Sequence, residues 1–195
     1  RFIFTSSVVA SNFPEPGEKV TELSLPYADF PYAISKREGE RLVREGSKYF
    51  PCSIVRLAAV YSDWCEYEPL YNFLKIWLSD RWDASMIPGH GSMAIPYIHI
   101  SCVITLFDKL LGKSEDLENL CVFLASSDKP VSLLELFSLA THHYYGTENA
   151  PVFLPVWFAR LGVLIRDLWG RLVGKRPFEK VWMTEYIDKQ FPTDC

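Results

Sequence analysis

Apolar and polar positions along the chain fall into short runs that alternate between strand-like and helix-like spacing. Phe2-Ile3-Phe4, followed by Thr5-Ser6-Ser7, reads as a short strand over 2–7. The polar stretch 12–28, with Pro, Gly and Glu, reads as a long loop. A segment rich in Lys, Arg and Glu predicts a helix from 31 to 49, ended by Pro51. Ser53-Ile54-Val55-Arg56-Leu57-Ala58-Ala59-Val60-Tyr61 predicts one buried strand. Strand, helix and strand in this order form a βαβ unit, with parallel strands and a right-handed crossover.

The pattern then predicts a helix over 69–80, a turn at Pro88-Gly89-His90-Gly91 and a strand over 94–99. Ser101 is placed to cap a helix running to 111. Residues 119–124 predict a third parallel strand, and helices follow over 132–144, 156–173 and 179–190. No internal repeat interrupts this order. Alternating strands and helices point to an α/β open sheet, here without its first half.

Composition narrows the class. The chain has 195 residues, 49% hydrophobic and 15% aromatic, enough for a packed core or a core plus a lobe. A formal net charge of -4 gives no electrostatic reason to expect nucleic acid. Cys52, Cys65, Cys102, Cys121 and Cys195 show neither CxxC nor zinc spacing, so they read as reduced thiols of a cytoplasmic protein and small core residues. No secretory signal opens the chain, and no run of about 18 apolar residues suits a bilayer span. Arg1-Phe2-Ile3-Phe4-Thr5 already reads as a strand in progress, and Phe191-Pro192-Thr193-Asp194-Cys195 ends without a stop, so both ends read as truncations.

Candidate chemistry gathers at the start of the first helix. Tyr32 and Lys36 in Tyr32-Ala33-Ile34-Ser35-Lys36 sit at i and i+4, on one face, a turn apart. A cation beside a phenol favours the phenolate and draws its pKa down from about 10, which suits proton exchange with a hydroxyl or carbonyl. The pattern alone is common on helix surfaces. However, Ser7 lies at the carboxyl end of a predicted parallel strand, where open α/β sheets bind ligands, and its hydroxyl can reach the same substrate oxygen.

Together these segments resemble the extended short-chain dehydrogenases/reductases of the NAD-dependent epimerase/dehydratase type. The resemblance rests on residues 2–7, on Pro31-Tyr32-Ala33-Ile34-Ser35-Lys36-Arg37-Glu38-Gly39-Glu40, on Val55–Tyr61 against the family's R-P-x-x-V-Y-G, and on Ile87-Pro88-Gly89 through Tyr97-Ile98-His99-Ile100. It covers most of residues 2–125. It implies the second half of a Rossmann-type parallel sheet with a mostly helical C-terminal substrate lobe. In that division, 1–125 form a partial NAD(P)-binding domain, 69–98 contribute to the lobe, and 126–195 form the truncated lobe itself. It also implies Tyr32 as acid/base, Ser7 as its partner on the substrate oxygen, and Lys36 as the residue that tunes Tyr32 and holds the nicotinamide ribose. Thr5, Ser6, Leu57 and Ala58 would line the cofactor, NAD or NADP, with no metal.

The departures from the family pattern shape the expected function. No G-x-x-G-x-x-G turn occurs to cradle a pyrophosphate. Leu57 replaces the usual Pro, Ser62 the usual Gly, and Ser101-Cys102 the acidic pair, while Ala59 and Ile95 stand where nucleotide-sugar enzymes carry Asn and Arg. The favoured reading is therefore an NAD(P)-dependent oxidoreductase acting on a secondary alcohol or ketone of low polarity, against an apolar wall of Trp64, Tyr67, Tyr71, Trp77 and the 153–169 aromatics. A nucleotide-sugar epimerase or dehydratase is the enzymatic alternative, with Arg160 or Arg171 left to hold a diphosphate. A non-catalytic binding or assembly module is the other. The fragment alone is expected to be inactive and poorly soluble, with the 2–7 strand edge exposed.

Four further features are weighed. Adjacent helical residues point about 100° apart, so His142-His143 reads as a surface pair and not a metal site. His99 reads as structural. Ser35, Gly39 and Gly46 lie near one stripe, which suits either ordinary intrachain packing or the homodimer contact that the resemblance implies. In 156–173, Trp157, Leu161, Leu164, Leu168 and Leu172 form an apolar stripe opposite Arg160, Asp167, Arg171 and Gly174, with Arg166, Lys175 and Arg176 flanking it. That helix is read as covering the substrate lobe, with membrane-surface association as the alternative.

Overall fold

The computed structural model describes residues 1–11, 13–127, 129–147, 149–174 and 180–194. The chain divides into two units: Arg1–Glu68 with Ile95–Pro130 and Phe191–Cys195, and Pro69–Ala94 with Val131–Gln190. Residues 126–130 and 191–195, expected in the C-terminal lobe, fall with the first unit. Phe191 packs there with Val8, Val20 and Leu124, and Thr193 bridges to Val20.

The first unit is built on three parallel strands in the order β1-β2-β7, where β1 is Phe2–Ser7, β2 is Cys52–Leu57 and β7 is Cys121–Ala125. In register, Ser7 lies beside Leu57 and Leu57 beside Ala125, so the carboxyl ends are level. Helix α1 (Pro31–Gly46) covers one face through Val43, which packs with Cys52, Ile54 and Phe4. Helix α3 (Ile100–Gly112) covers the other, with Leu110 and Leu106 against Val55 and Ala125. β1 pairs only with β2 among the described residues, and Phe2 on it is half-exposed.

A bidentate ion pair joins α1 to β2. Arg56 donates from Nε to Glu40 Oε1 at 2.9 Å and from Nη2 to Oε2 at 2.8 Å, and both side chains are fully buried. Ser6 Oγ donates to Glu40 Oε1 at 2.7 Å, and Arg56 Nη1 donates to the Ser24 carbonyl at 2.7 Å. The pair therefore fixes β1, α1, β2 and the 12–28 loop against one another. Burial pulls the Glu40 carboxyl upward, but the hydrogen bonds from Arg56 and Ser6 and the charges of Arg56 and Arg44 outweigh it and hold it below the usual range.

Several boundaries differ from expectation. α1 ends at Gly46 and not at 49, because Tyr49 and Phe50 both return their N–H groups to the Gly46 carbonyl in a turn. The single strand expected over 53–61 breaks at Ala58. Its N–H goes to the Ala125 carbonyl (2.9 Å), whereas that of Ala59 goes to the Pro96 carbonyl (3.2 Å). Beyond the break, β3 (Ala59–Tyr61) pairs with β6 (Tyr97–His99). The strand expected over 94–99 is likewise split into β5 (Ala94–Ile95) and β6 at Pro96, which has no N–H to give. Ser101 lies inside the first turn of α3. The cap is His99, whose Nδ1 accepts from the Ser101 N–H at 3.3 Å.

In the second unit, α2 (Glu68–Trp77) supplies Trp77, stacked on Phe73 at 5.1 Å and edge-on to Phe137 at 5.3 Å. These rings pack with Ile87 of β4 (Met86–Pro88) and Leu133 of α4 (Leu133–Tyr145). β4 pairs in parallel with β9 (Val152–Leu154), and β8 (Val131–Ser132) leads into a capping box between Ser132 and Glu135 that starts α4. Helix α5 spans Val156–Val173 as expected. The helix expected over 179–190 is only a 3-10 turn, Val181–Tyr186; Glu179, with Lys175 and Arg176, lies outside the described residues. Asp188 takes a left-handed φ of 67°, and its Oδ1 accepts from the His90 N–H (2.8 Å) and Ser92 Oγ (3.0 Å), which no continuing helix allows. Gly89, at φ 67°, admits this carboxylate, which a Cβ there would meet at 2.3 Å.

Glu40→Gln leaves the Arg56 guanidinium buried without its counter-charge and should lower the unfolding free energy by about 3–5 kcal/mol. Urea denaturation at neutral pH measures this, and an unchanged midpoint would refute the role given to the pair. The unfolded chain binds the Glu40 proton first, near pH ~4.3, so stability is intact above that value. It falls as pH drops through the lower folded pKa, and Glu40→Gln should remove that part of the acid slope.

Candidate functional site

Ser7 is buried at the carboxyl end of β1, the end at which open parallel sheets bind ligands. Its Oγ donates to the Leu57 carbonyl at 3.3 Å. Pro31 opens α1, where a missing N–H costs nothing, and Tyr32 follows it with its side chain about half-exposed. Lys36, one turn on, donates from Nζ to the Thr5 carbonyl at 3.0 Å, and the same nitrogen lies 5.6 Å from the Tyr32 ring centroid and 5.7 Å from that of Phe4. The ammonium thus ties the first turn of α1 to β1 and leaves two of its three donors for other acceptors. Among the described residues no hydrogen bond links Ser7 to Tyr32.

The residues expected to line the cofactor divide by what their polar groups do. Thr5 is exposed and gives its carbonyl to Lys36. The Ser6 hydroxyl is buried against Glu40. The Leu57 carbonyl accepts from Ser7, and the Ala58 N–H is bonded within the sheet to Ala125. The glycine stripe of α1 is filled from within the chain: a Cβ at Gly39 would meet the Phe4 ring at 2.2 Å, and one at Gly46 the Phe50 ring at 3.3 Å.

Beside the strand ends lies an aromatic group only partly foreseen. Tyr97 stands edge-on to Tyr67 at 6.0 Å and to Tyr61 at 6.2 Å, and Tyr61 meets the His99 ring at 5.1 Å. An adjoining hollow of about 310 Å³ is lined by Val60, Tyr61, Ser62, Glu66, Tyr67 and Ile100. Burial, with the neighbouring Tyr32 adding to it, pushes the Tyr67 phenol up to about 12, and burial raises Tyr97 too. Tyr61 and Tyr97 were missed because their meeting depends on the break at Ala58, which brings β3 beside β6 with Tyr61 level with His99 and leaves no signal in the sequence. Of the expected wall, Trp64 is 86% exposed, Trp77 is interior to the second unit, and Tyr71 and the 153–169 aromatics also belong to that unit.

His99 caps α3 and places Nε2 3.5 Å from Asp63. His142 and His143 lie in the last turn of α4, and no group of three His, Cys, Asp or Glu that could hold a metal occurs among the described residues. Cys52, Cys65, Cys102 and Cys121 are free; Cys52 is buried and Cys102 is exposed, so that one is not a core residue, and Cys195 lies outside the described residues.

The sequence profile of the NAD dependent epimerase/dehydratase family matches residues 1–122. No curated protein sequence matches the chain. Among solved structures, a UDP-glucuronic acid 4-epimerase from Bacillus cereus, in complex with UDP-glucuronic acid and NAD, superposes with a TM-score of 0.67 at 21% identity, over 99% of this chain and 52% of that one. UDP-glucose 4-epimerase from Thermotoga maritima, with UDP-glucose, gives 0.65 at 18% identity, over 99% and 54%. A dTDP-glucose 4,6-dehydratase from Streptomyces venezuelae, with NAD bound, gives 0.64 at 15%, over 98% and 50%. These likenesses establish a Rossmann-type α/β fold, and the chain spans about half the length of the structures it matches.

The raised Tyr67 phenol sets an alkaline limit. The unfolded chain ionises it near pH ~10, so the stability due to the neutral phenol is present below that and is lost as pH rises through about 12. Tyr67→Phe should flatten the fall in melting temperature across this window while leaving the neutral-pH value nearly unchanged. An equally steep fall in the variant would show that Tyr67 does not sense burial.

Proposed function

The chain belongs to the NAD dependent epimerase/dehydratase family, and on that premise we propose that it forms the catalytic part of an NAD(P)-dependent oxidoreductase acting on a secondary alcohol or ketone. The observation that carries this is the Lys36 ammonium, bonded to the Thr5 carbonyl at 3.0 Å and 5.6 Å from the Tyr32 ring, at the carboxyl end of β1. Tyr32 is the acid/base: in the oxidising direction its oxygen takes the proton of the substrate hydroxyl. To Ser7, whose hydroxyl donates to the Leu57 carbonyl, we assign the same substrate oxygen. Lys36, with two donors left, suits the hydroxyls of the nicotinamide ribose. NAD or NADP, when bound, supplies the hydride acceptor. The 195 residues contain no G-x-x-G-x-x-G turn to hold its pyrophosphate, so we assign the activity to a protein that includes that half and expect these residues alone to be inactive.

We assign a substrate of low charge. Ala59 and Ile95 offer no donor, and each missing hydrogen bond to a charged group costs on the order of 1.5–3 kcal/mol. Of the two arginines available to a diphosphate, Arg160 and Arg171, the second is already paired with Asp167 at 2.6 Å. The tyrosine-lined hollow suits an apolar alcohol better. The second reading is a nucleotide-sugar epimerase or dehydratase, favoured by the enzymes whose folds are similar and reached through the same proton transfer. A purely structural family member would use Lys36 for its tether to the Thr5 carbonyl, but has no use for a phenol at Tyr32 beside it.

In a protein containing both halves, Tyr32→Phe should lower turnover by about 10²–10⁴ while NAD(P)H still binds, whereas Lys36→Ala should weaken both. Near-normal turnover of Tyr32→Phe would end the assignment. Substrate class is decided by competition between UDP- or dTDP-sugars and hydrophobic alcohols or ketones: inhibition and turnover confined to the latter are expected. Micromolar binding and turnover of a nucleotide sugar would make the second reading the correct one.

A further inference from the structure

Helix α5 is amphipathic in the reverse sense to a helix that covers a lobe. Its inward side is small or polar: Ala159, Val163, Asp167 and Gly170, of which Asp167 and Gly170 are buried. At 100° per residue, Trp157, Leu161, Ile165, Leu168, Trp169 and Leu172 share one uncharged arc, and each is between 46% and 82% exposed. Covering the lobe, the reading favoured by the sequence, would have turned this arc inward.

The charges around the arc identify what covers it. Arg160 and Arg171 border one side and Arg166 the other, all exposed. The helix's one acid, Asp167, is already bonded to Arg171 at 2.6 Å and lies 3.6 Å from Lys180. Arg160, Arg166 and Arg171 stand against the single acid Asp167, so the helix is net positive, and a two-fold partner helix laid on this face, parallel or antiparallel, would set like charge against like charge. A sheet of anionic headgroups meets the same edges favourably, and the apolar arc then sinks into the acyl boundary with tryptophans in both halves of the helix. No helix among the described residues is long and apolar enough to cross a membrane, so the geometry is that of a helix lying in the surface plane.

We propose that α5 is a membrane-surface anchor that binds anionic phospholipid through its exposed apolar arc and arginine borders. The test is to synthesise the 195-residue chain in a cell-free system with lipid vesicles and to float the vesicles, since aggregates sediment. The chain should float with mixed phosphatidylcholine and phosphatidylglycerol vesicles and about tenfold less with phosphatidylcholine alone. Leu161→Glu with Leu168→Glu, at exposed positions, should abolish flotation with an unchanged circular dichroism spectrum. Should that variant misfold, brominated phospholipid decides the matter on the unaltered arc: it should quench tryptophan fluorescence in the parent chain and lose most of that effect in Trp157→Phe with Trp169→Phe. A parent chain that stays with the lipid-free fraction overturns the proposal, and if it is a dimer that the glutamates dissociate, the face belongs to a second copy. Flotation that survives the glutamates in a folded chain overturns it as well, because another surface then holds the lipid.

Discussion

The first unit depends on one buried pair of charges. Arg56 sits near the carboxyl end of the sheet's central strand and Glu40 on the covering helix, and neither touches solvent. Two charges in such a place are costly unless every donor and acceptor is used, and here the strands, the helix and the 12–28 loop each contribute a partner. Such a pair adds less to stability than an apolar core would, but it permits few arrangements. α1 cannot slide or rotate on the sheet without stranding a charge.

The candidate site inherits this constraint. Glu40 is one turn beyond Lys36 and two beyond Tyr32, so holding Glu40 on β2 fixes the azimuth of the whole helix. Along β1, Ser6 and Ser7 point to opposite faces. Ser6 locks the structure through Glu40, and Ser7 is presented at the end of the strand beside Leu57. Gly39 lets the Phe4 ring close the remaining gap, bringing helix and strand near enough for Lys36 to reach the Thr5 carbonyl. Three helix positions spaced a turn apart thus do different work on one strand: one anchors, one tethers and one presents a phenol.

What the sequence disclosed follows from range of interaction. β1, α1, β2, α3, β7, α4 and α5 were legible because each carries its own period of apolar residues or its own stop signal, such as Pro51. The break at Ala58 was not, since it comes from a change of partner from β7 to β6, and no local pattern encodes which strand lies alongside. The cap of α3 was misplaced by two residues because a histidine ring replaced the serine hydroxyl as acceptor. The 3-10 turn near the end was hidden for a similar reason: Asp188 answers to His90 and Ser92, far away in the chain. Tyr32 and Lys36 were legible as a pair. The use of the Ser6 hydroxyl, by contrast, depends on Glu40 and Arg56 meeting beneath it. The direction of α5 was misread because apolar periodicity names a face without saying what the face meets.

The preference proposed for a weakly charged substrate has an electrostatic counterpart in the hollow itself. Its lining contains one carboxylate, Glu66, and no cation. A hydrogen bond from the Ser62 hydroxyl, then one from its own backbone, holds the Glu66 carboxyl below the usual range, so it is charged at neutral pH. Tyr67 in the lining, and Tyr97 edge-on behind it, are held neutral by burial and bring no compensating positive charge. A diphosphate entering this space would meet a carboxylate first and only neutral donors after it. Solvent at the exposed Glu66 screens that repulsion without reversing its sign. An alcohol with an apolar body would meet no such opposition from this lining, which is otherwise aromatic and aliphatic apart from Ser62.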